Sequence, residues 1–148
     1  MENLTFSIKI DAPKKKVWNT MLDLETYKQW TNAAWPGSTY IGEWKEGENI
    51  RFVSHEGSGT LATITTCTPH DHLLATHIAV LLPGGVEDRD SDMAKGWVGT
   101  AEEYTFTENH GGTELTVVMK INPEWAEMFL NDWPKALAKL KEICEIQS

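Results

Sequence analysis

The chain has 148 residues, with 13 basic and 22 acidic side chains and a formal net charge of −9. This length is typical of one domain, and we expect residues 1–148 to form a single domain. Clusters of Lys and Arg carry protein contacts to nucleic-acid phosphates and to anionic lipid, so this charge argues against nucleic acid and membrane surfaces as partners. No apolar run approaches the roughly 18 residues that a membrane-spanning helix needs, so we expect no stable membrane insertion.

Cysteine usage and the amino terminus favour a reducing compartment. Cys67 and Cys144 follow no metal-binding or redox spacing such as C-x-x-C, and we interpret them as core thiols. The first residues lack the apolar segment of a secretory signal peptide. We therefore expect a cytoplasmic protein.

The amino-terminal residues predict a strand followed by a helix. In residues 4–10, apolar side chains alternate with polar ones, which is the period of a half-buried strand. Pro13 suits the first turn of a helix, with Asp11 or Ala12 as its cap. Apolar residues then recur at helical spacing as far as Leu22. The sequence therefore predicts a short helix that begins near Pro13.

A second short helix and a series of strands follow. Leu24, Tyr27 and Trp30 share one side of the predicted helix, and the Trp-Pro-Gly sequence at residues 35–37 ends it. Residues 38–121 then contain segments rich in Thr, Val, Ile and aromatic residues, which are typical of strands. The predicted strands are TYIGEW, NIRFVS, GTLATITTC, HLLATHIAVL, WVGTAEEYTF and TELTVVMKI.

The connections between these segments favour antiparallel hairpins. Most are short and turn-rich, including KEGE, HEGSG and ENHGG. Residues 83–96 are longer than a plain hairpin turn, and we predict an acidic surface loop there. Long loops of this kind often act as binding elements or lids. Our hypothesis is that this loop gates the mouth of a pocket.

The carboxyl-terminal residues predict one long amphipathic helix. Asn122 and Pro123 form a cap and a first-turn proline, and an apolar pattern runs from Trp125 to Cys144. Pro134 lies within this pattern, where a proline kinks the helix or marks a first turn. The predicted class is α+β, in the order strand, two helices, six strands and one helix. A curved antiparallel sheet of about seven strands would then wrap around the long helix.

Four segments carry a resemblance to a known family. IDAPKKKVWNTMLD, WPGSTYIGEWKEGENIRF, WVGTAEEYTFTENHGGTELTV and WPKALAKLKEICE resemble, in this order, the motifs of the stand-alone bacterial domains related to the activator of the ninety-kilodalton heat-shock chaperone ATPase. These Aha-type domains belong to the START-like (SRPBCC), birch-pollen-allergen-like superfamily. The resemblance covers essentially the whole chain and implies the helix-grip fold.

Two classes of function follow from this resemblance. Superfamily members bind lipids and other apolar molecules between helix and sheet, which implies a small apolar molecule or lipid as the partner. The family name suggests instead a chaperone partner. In the eukaryotic activator an additional amino-terminal domain docks on the chaperone, and this sequence begins directly at the first predicted strand. We therefore rank chaperone activation below ligand binding.

Apolar side chains from the predicted sheet and the last helix are expected to line the ligand cavity. For each aromatic residue taken singly, ordinary core packing is the alternative. As a set, they favour a pocket, because ligand pockets are mostly apolar with a few polar groups. The predicted apolar ligand-binding residues are Trp35, Ile50, Phe52, Phe129, Trp133 and Leu137.

Three polar residues are predicted to meet inside that cavity. The resemblance implies that His77 points inward. Glu102 and Tyr104 share one face of a predicted strand by its two-residue period. If the two strands are neighbours, the three side chains form a polar anchor for a ligand head group. The alternatives are a self-satisfied hydrogen-bond cluster and an enzyme that uses His77 and Glu102 as an acid/base pair on an apolar substrate.

Other chemistry has little support in the sequence. His70 and His72 are two residues apart, but no third metal ligand follows at convincing spacing, and we predict a turn. The spacing of Asp88, Asp90 and Asp92 fails as a calcium loop, since Met93 stands where the tight turn needs Gly. No motif indicates a catalytic nucleophile, a metal or a cofactor, and we expect none.

Overall fold

The computed structural model describes residues 1–54 and 57–146. The strands are β1 (Glu2–Ile10), β2 (Thr39–Gly42), β3 (Asn49–Val53), β4 (Gly59–Thr68), β5 (His72–Leu82), β6 (Val86–Asp88), β7 (Ala101–Asn109) and β8 (Gly112–Ile121). The helices are α1 (Lys14–Leu22), α2 (Leu24–Asn32), α3 (Asp92–Trp97) and α4 (Ala126–Ile146), with a 3-10 turn at Pro123–Trp125 before α4.

The strands form one antiparallel sheet. Its order is β1-β8-β7-β5-β4-β3-β2, with β6 paired to the end of β5. Most strands that are consecutive in the chain are therefore paired as hairpins, as the short turns predict. One exception is β1, which pairs with β8 and forms one edge of the sheet. The predicted α+β helix-grip fold is confirmed, with eight strands in place of about seven.

Helix α4 covers the concave face of the sheet and packs against β1, α1 and α2. Its buried side chains follow helical spacing and face the sheet, whereas Met128 and Leu130 are exposed. The buried set is Ala126, Phe129, Trp133, Ala136, Leu137, Leu140, Ile143 and Cys144. None of the helices in the described residues has the length and apolar character needed to cross a membrane.

The predicted helix starts are partly correct. Asn122 caps the 3-10 turn, because its side-chain oxygen accepts a hydrogen bond from the Glu124 backbone N–H at 3.1 Å. At α1, however, Pro13 itself occupies the cap position in an extended conformation, so neither Asp11 nor Ala12 is the cap. Pro134 lies inside α4, which is assigned as helix on both sides of it.

The predicted loop at residues 83–96 is wrong, since it contains β6 and most of α3. The Ser91 hydroxyl caps α3 by accepting a hydrogen bond from the Ala94 backbone N–H at 3.1 Å. Trp97, predicted to begin a strand, ends this helix, and β7 begins at Ala101. A six-residue helix contains too little periodicity to appear as a helical pattern in the sequence.

Two further connections bear on the predictions. The expected turn at residues 69–71 is present, and His70 adopts a positive φ of 69° within it. His72 begins β5, and its Nε2 lies 2.7 Å from Glu103 Oε2. The predicted HEGSG turn includes residues 55 and 56, which lie outside the described residues.

Helix α4 offers a matched test of its buried face. Leu140 has no exposed surface, and Leu130 is 52% exposed on the same helix. We expect Leu140→Ala to lower the free energy of unfolding by about 2–5 kcal/mol, because it leaves a cavity under the helix. Leu130→Ala should change it by less than roughly 0.5 kcal/mol. Urea unfolding measures both, and equal losses would contradict this orientation of α4.

Candidate functional site

A cavity of about 540 Å³ lies between the sheet, α2, α3 and α4 and opens to solvent. This volume is within the range of pockets that hold small molecules, roughly 300–1,000 Å³. The rings that line it come from helices and strands far apart in the chain. These aromatic side chains are Tyr27, Trp30, Trp35, Phe52, Trp97, Tyr104, Phe129 and Trp133.

Most of the predicted site residues line this cavity. They are Trp35, Phe52, His77, Glu102, Tyr104, Phe129 and Trp133. Ile50 and Leu137 do not line it and belong instead to the buried core. Side chains fill the space between α4 and the sheet around these two residues. Their predicted place in the cavity therefore needs correction.

The sequence interpretation missed lining residues on three helices. Tyr27 and Trp30 on α2 were predicted only to share one side of a helix, and that shared side was a usable signal. Met93 and Trp97 reach the cavity from α3, a helix that the sequence pattern did not indicate. Met128 of α4 also lines the cavity and is 43% exposed. With Met93, which is 49% exposed, it forms the mouth.

Trp133 of α4 lies at the centre of the aromatic lining. Its ring centroid is 5.1 Å from that of Trp35, in an edge-on arrangement, and 6.2 Å from that of Trp30. From the sheet, Tyr104 approaches it at 6.1 Å and Phe6 at 6.2 Å. The buried Trp133 Nε1 has no hydrogen-bond partner among the described residues. Trp133 thus joins α2, α4 and the sheet and still has one donor available.

A second series of rings continues along the opposite wall. Phe52 of β3 lies 6.1 Å from the ring of His77, and His77 lies 6.0 Å from Trp97. Trp97 stacks on Trp125 with centroids 4.5 Å apart and contacts Phe129 edge-on at 6.1 Å. These contacts fix α3 against the start of α4. The short helix therefore forms part of the cavity wall.

His77 is placed in the cavity by the pairing of β5. Its backbone N–H donates to the Thr100 carbonyl at 2.8 Å, and its carbonyl accepts from the Gly99 N–H at 2.9 Å. The side chain is buried and lines the cavity, as predicted from the resemblance. Neither ring nitrogen has a hydrogen-bond partner in the described part of the chain. Its Nε2 lies 3.8 Å from Glu102 Oε1, beyond hydrogen-bond distance.

Glu102 and Tyr104 form the other half of the polar group. The two strands that carry these residues and His77 are neighbours, since Ala75 of β5 lies opposite Glu102 of β7. The Tyr104 hydroxyl donates a hydrogen bond to Glu102 Oε2 at 2.9 Å. The three predicted polar residues therefore lie together at the cavity wall. Glu102 and Tyr104 are joined by this one hydrogen bond, and His77 lies beside them without a hydrogen bond to either.

The surroundings of Glu102 also affect the tyrosines. Burial raises the pKa of Tyr104 well above its ordinary value, and the negative charge of Glu102 adds to this effect. Burial, followed by the charge of Glu102, likewise raises the pKa of Tyr27. Both phenols are therefore held as neutral hydrogen-bond donors. For Tyr40, outside the cavity, burial again raises the pKa.

The arrangement suits binding of a molecule with an apolar body and a polar end. Aromatic and aliphatic side chains provide most of the wall, while His77 and Trp133 contribute unpaired polar atoms. A buried polar group without a partner costs about 1–3 kcal/mol, and a ligand that bonds to it recovers part of that cost. Among residues 1–54 and 57–146, no three His, Cys, Asp or Glu side chains are grouped so that they could hold a metal ion.

Comparison with protein families gives a match over nearly the whole chain. The family described as "Activator of Hsp90 ATPase homolog 1-like protein" matches residues 11–145. A comparison with curated proteins finds no match.

Several solved structures share the fold at low sequence identity. The solution structure of the Aha1 dimer from Colwellia psychrerythraea is 20% identical, with a TM-score of 0.72 over 99% of this chain and 98% of that chain. Protein MLL2253 from Mesorhizobium loti is 14% identical, with a TM-score of 0.74 over 99% of both chains. CalU16 from Micromonospora echinospora is 18% identical, with a TM-score of 0.68 over 96% of this chain and 75% of that chain. At these identities the likeness extends to the fold alone.

The raised tyrosine pKa values predict a delayed alkaline titration. A free phenol ionises at about pH 10. Because the folded pKa is raised for all three tyrosines, their contribution to stability is complete below about pH 10 and is lost as the pH rises further. We expect little phenolate absorbance from the folded protein at pH values where the urea-unfolded protein is already ionised. Coincident titrations of the two forms would contradict the buried positions of these hydroxyls.

Proposed function

The chain belongs to the family of Activator of Hsp90 ATPase homolog 1-like proteins, and on this premise we propose that it binds a small apolar or amphipathic molecule between the sheet and α4. The observation that carries the proposal is the cavity of about 540 Å³, whose lining includes a buried histidine without a hydrogen-bond partner among the described residues. An interior filled by side chains would have left only the surface for function. The open cavity therefore favours ligand binding.

The composition of the wall supports a ligand with a large apolar part. Burial of apolar surface contributes roughly 25 cal/mol for each Å² removed from water. Rings such as Trp35, Phe52 and Phe129 present this surface to the cavity. Met93 and Met128 at the mouth add flexible side chains that adapt to different ligand shapes. A small lipid or another apolar metabolite fits this description.

A second candidate is interaction with a chaperone ATPase, and the observation that favours it is the family description itself. It ranks second because the cavity is a feature of this chain, whereas the described residues contain no comparable feature specific for a chaperone. Addition of the purified protein would have to raise the chaperone's ATPase rate several-fold to support this candidate. We place either activity in the cytoplasm, where the free thiols of Cys67 and Cys144 would stay reduced.

Native mass spectrometry tests ligand binding directly. We expect the gently purified protein to carry a stoichiometric additional mass that is released on denaturation and identified as an apolar compound. Incubation of the delipidated protein with the released compound should restore that mass. A clean apo mass, together with no uptake from an extract of small apolar metabolites, would contradict the proposal.

A matched pair of phenylalanines separates binding from stability. Phe129 and Phe106 are both buried, but only Phe129 is among the described residues that line the cavity. Replacing either with Ala should lower the free energy of unfolding by about 3–5 kcal/mol. Phe129→Ala should also weaken binding of the released compound by about tenfold through lost apolar contact. Phe106→Ala should leave the affinity of the folded protein unchanged, and equal losses of affinity would place the ligand elsewhere.

A further inference from the structure

We propose that the cavity selects an amphipathic organic cation, with a protonated amine held at Glu102 and an apolar body among the aromatic side chains. The inference rests on the ligand-binding function proposed above and names the chemical class of that ligand. It follows from the charge of the cavity wall, the free hydrogen-bonding atoms at one end of the cavity and the ring faces around them.

The charge of the wall is negative. Among the described side chains that line the cavity, Glu102 is the acidic one, and neither Lys nor Arg contributes. The Glu102 side chain is 18% exposed. A carboxylate in such surroundings is costly unless hydrogen bonds or an opposite charge compensate it. An anionic ligand would add a second negative charge, whereas a cation would supply the missing compensation.

The hydrogen bonds of Glu102 leave one oxygen available. Oε2 accepts from the Tyr104 hydroxyl at 2.9 Å, while Oε1 is directed toward His77, whose Nε2 is 3.8 Å away. An ammonium group has three donors, so one of them can bond to the free oxygen of the carboxylate. Bonds of this kind to a charged group are stronger than those to a neutral hydroxyl.

The titratable groups near Glu102 decide whether its charge remains available. Tyr104 and Tyr27 stay neutral because burial and the Glu102 carboxylate raise their pKa values. Neither phenol therefore adds a charge beside the Glu102 carboxylate.

Aromatic faces add a second source of selectivity. An organic cation is attracted to the face of a Trp or Tyr ring within about 6 Å. Tyr27, Trp30, Trp35 and Trp133 line the same cavity as Glu102. The formal net charge of −9 also raises the encounter rate with cations and lowers it with fatty-acid anions.

Three probes with one alkyl chain test the inference. Titration calorimetry at neutral pH would compare n-decylammonium, n-decanol and decanoate, which have ten carbons each and differ in the charge of the polar end. We expect the ammonium to bind at least about tenfold more tightly than the alcohol, since a charge-assisted bond replaces a neutral one. Decanoate should bind most weakly of the three.

A matched pair of variants tests whether Glu102 is the source of the preference for a cation. Glu103 follows Glu102 on β7, lies outside the cavity lining and pairs with His72 at 2.7 Å. Glu102→Gln and Glu103→Gln remove the same formal charge from the protein. We expect Glu102→Gln to bind the ammonium and the alcohol within about twofold of each other, and Glu103→Gln to keep the tenfold difference. A thermal unfolding curve confirms that each variant is folded.

The outcomes separate this inference from the function on which it rests. Equal binding of ammonium and alcohol to the unmodified protein, or tighter binding of decanoate, would overturn the cation preference and leave ligand binding intact. Loss of the preference in Glu103→Gln would assign it to surface charge and overturn the inference. Failure of all three probes to bind would contradict the proposed function as well. If Glu102→Gln does not fold, the unmodified protein and Glu103→Gln still decide the question.

Discussion

The structure depends on one packing constraint: a single long helix must cover the concave face of an eight-stranded sheet. Around Leu137 and Leu140 the side chains of α4 fill the space to the sheet, and these residues are almost completely buried. One turn before Leu137, Trp133 instead contacts rings from α2 and from the sheet, and space remains beside it. The core and the cavity are therefore two parts of one interface, and they differ in how completely side chains fill it.

The polar end of the cavity bears a cost that the rest of the fold must offset. The Glu102 carboxylate and the His77 imidazole lie in a mostly apolar wall. Among the described residues, Glu102 receives one hydrogen bond, from Tyr104, and the ring nitrogens of His77 receive none. An interior selected for stability alone would favour apolar side chains at both positions. Unsatisfied groups in an otherwise well-packed domain tend to occur where function requires them. This contrast connects the energetics of the fold to the proposed ligand site.

Sequence patterns predicted the helices and strands in which the apolar period repeats several times. The alternation in β1 and the helical spacing in α4 correspond to buried faces, and the Asn122 cap lies where its residue type indicates. The six-residue helix α3 was missed because its cap, Ser91, is followed by fewer than two helical periods. The ends of so short a helix depend on tertiary contacts, such as the stacking of Trp97 on Trp125.

The cavity lining was harder to predict because periodicity shows which face is buried but not what lies opposite it. Ile50 and Phe52 share a face of β3, yet Ile50 is enclosed by the core and Phe52 reaches the cavity. The two-residue period of the strand is the same for both residues and does not distinguish them. The clustering of His77, Glu102 and Tyr104 was predictable, since two strands and a two-residue period suffice once the strands are neighbours.

The irregularity of β5 beside His77 affects how the wall can change over evolution. Ala62 of β4 lies opposite His77 and Leu61 lies opposite Ala79, so Ile78 is an extra residue in the strand. Because of this bulge, His77 and Val80 both line the cavity although they are three positions apart. A deletion of one residue here would turn the following side chains to the other face without altering the polar end. Insertions and deletions, as well as substitutions, could thus change the part of the wall that the end of β5 provides.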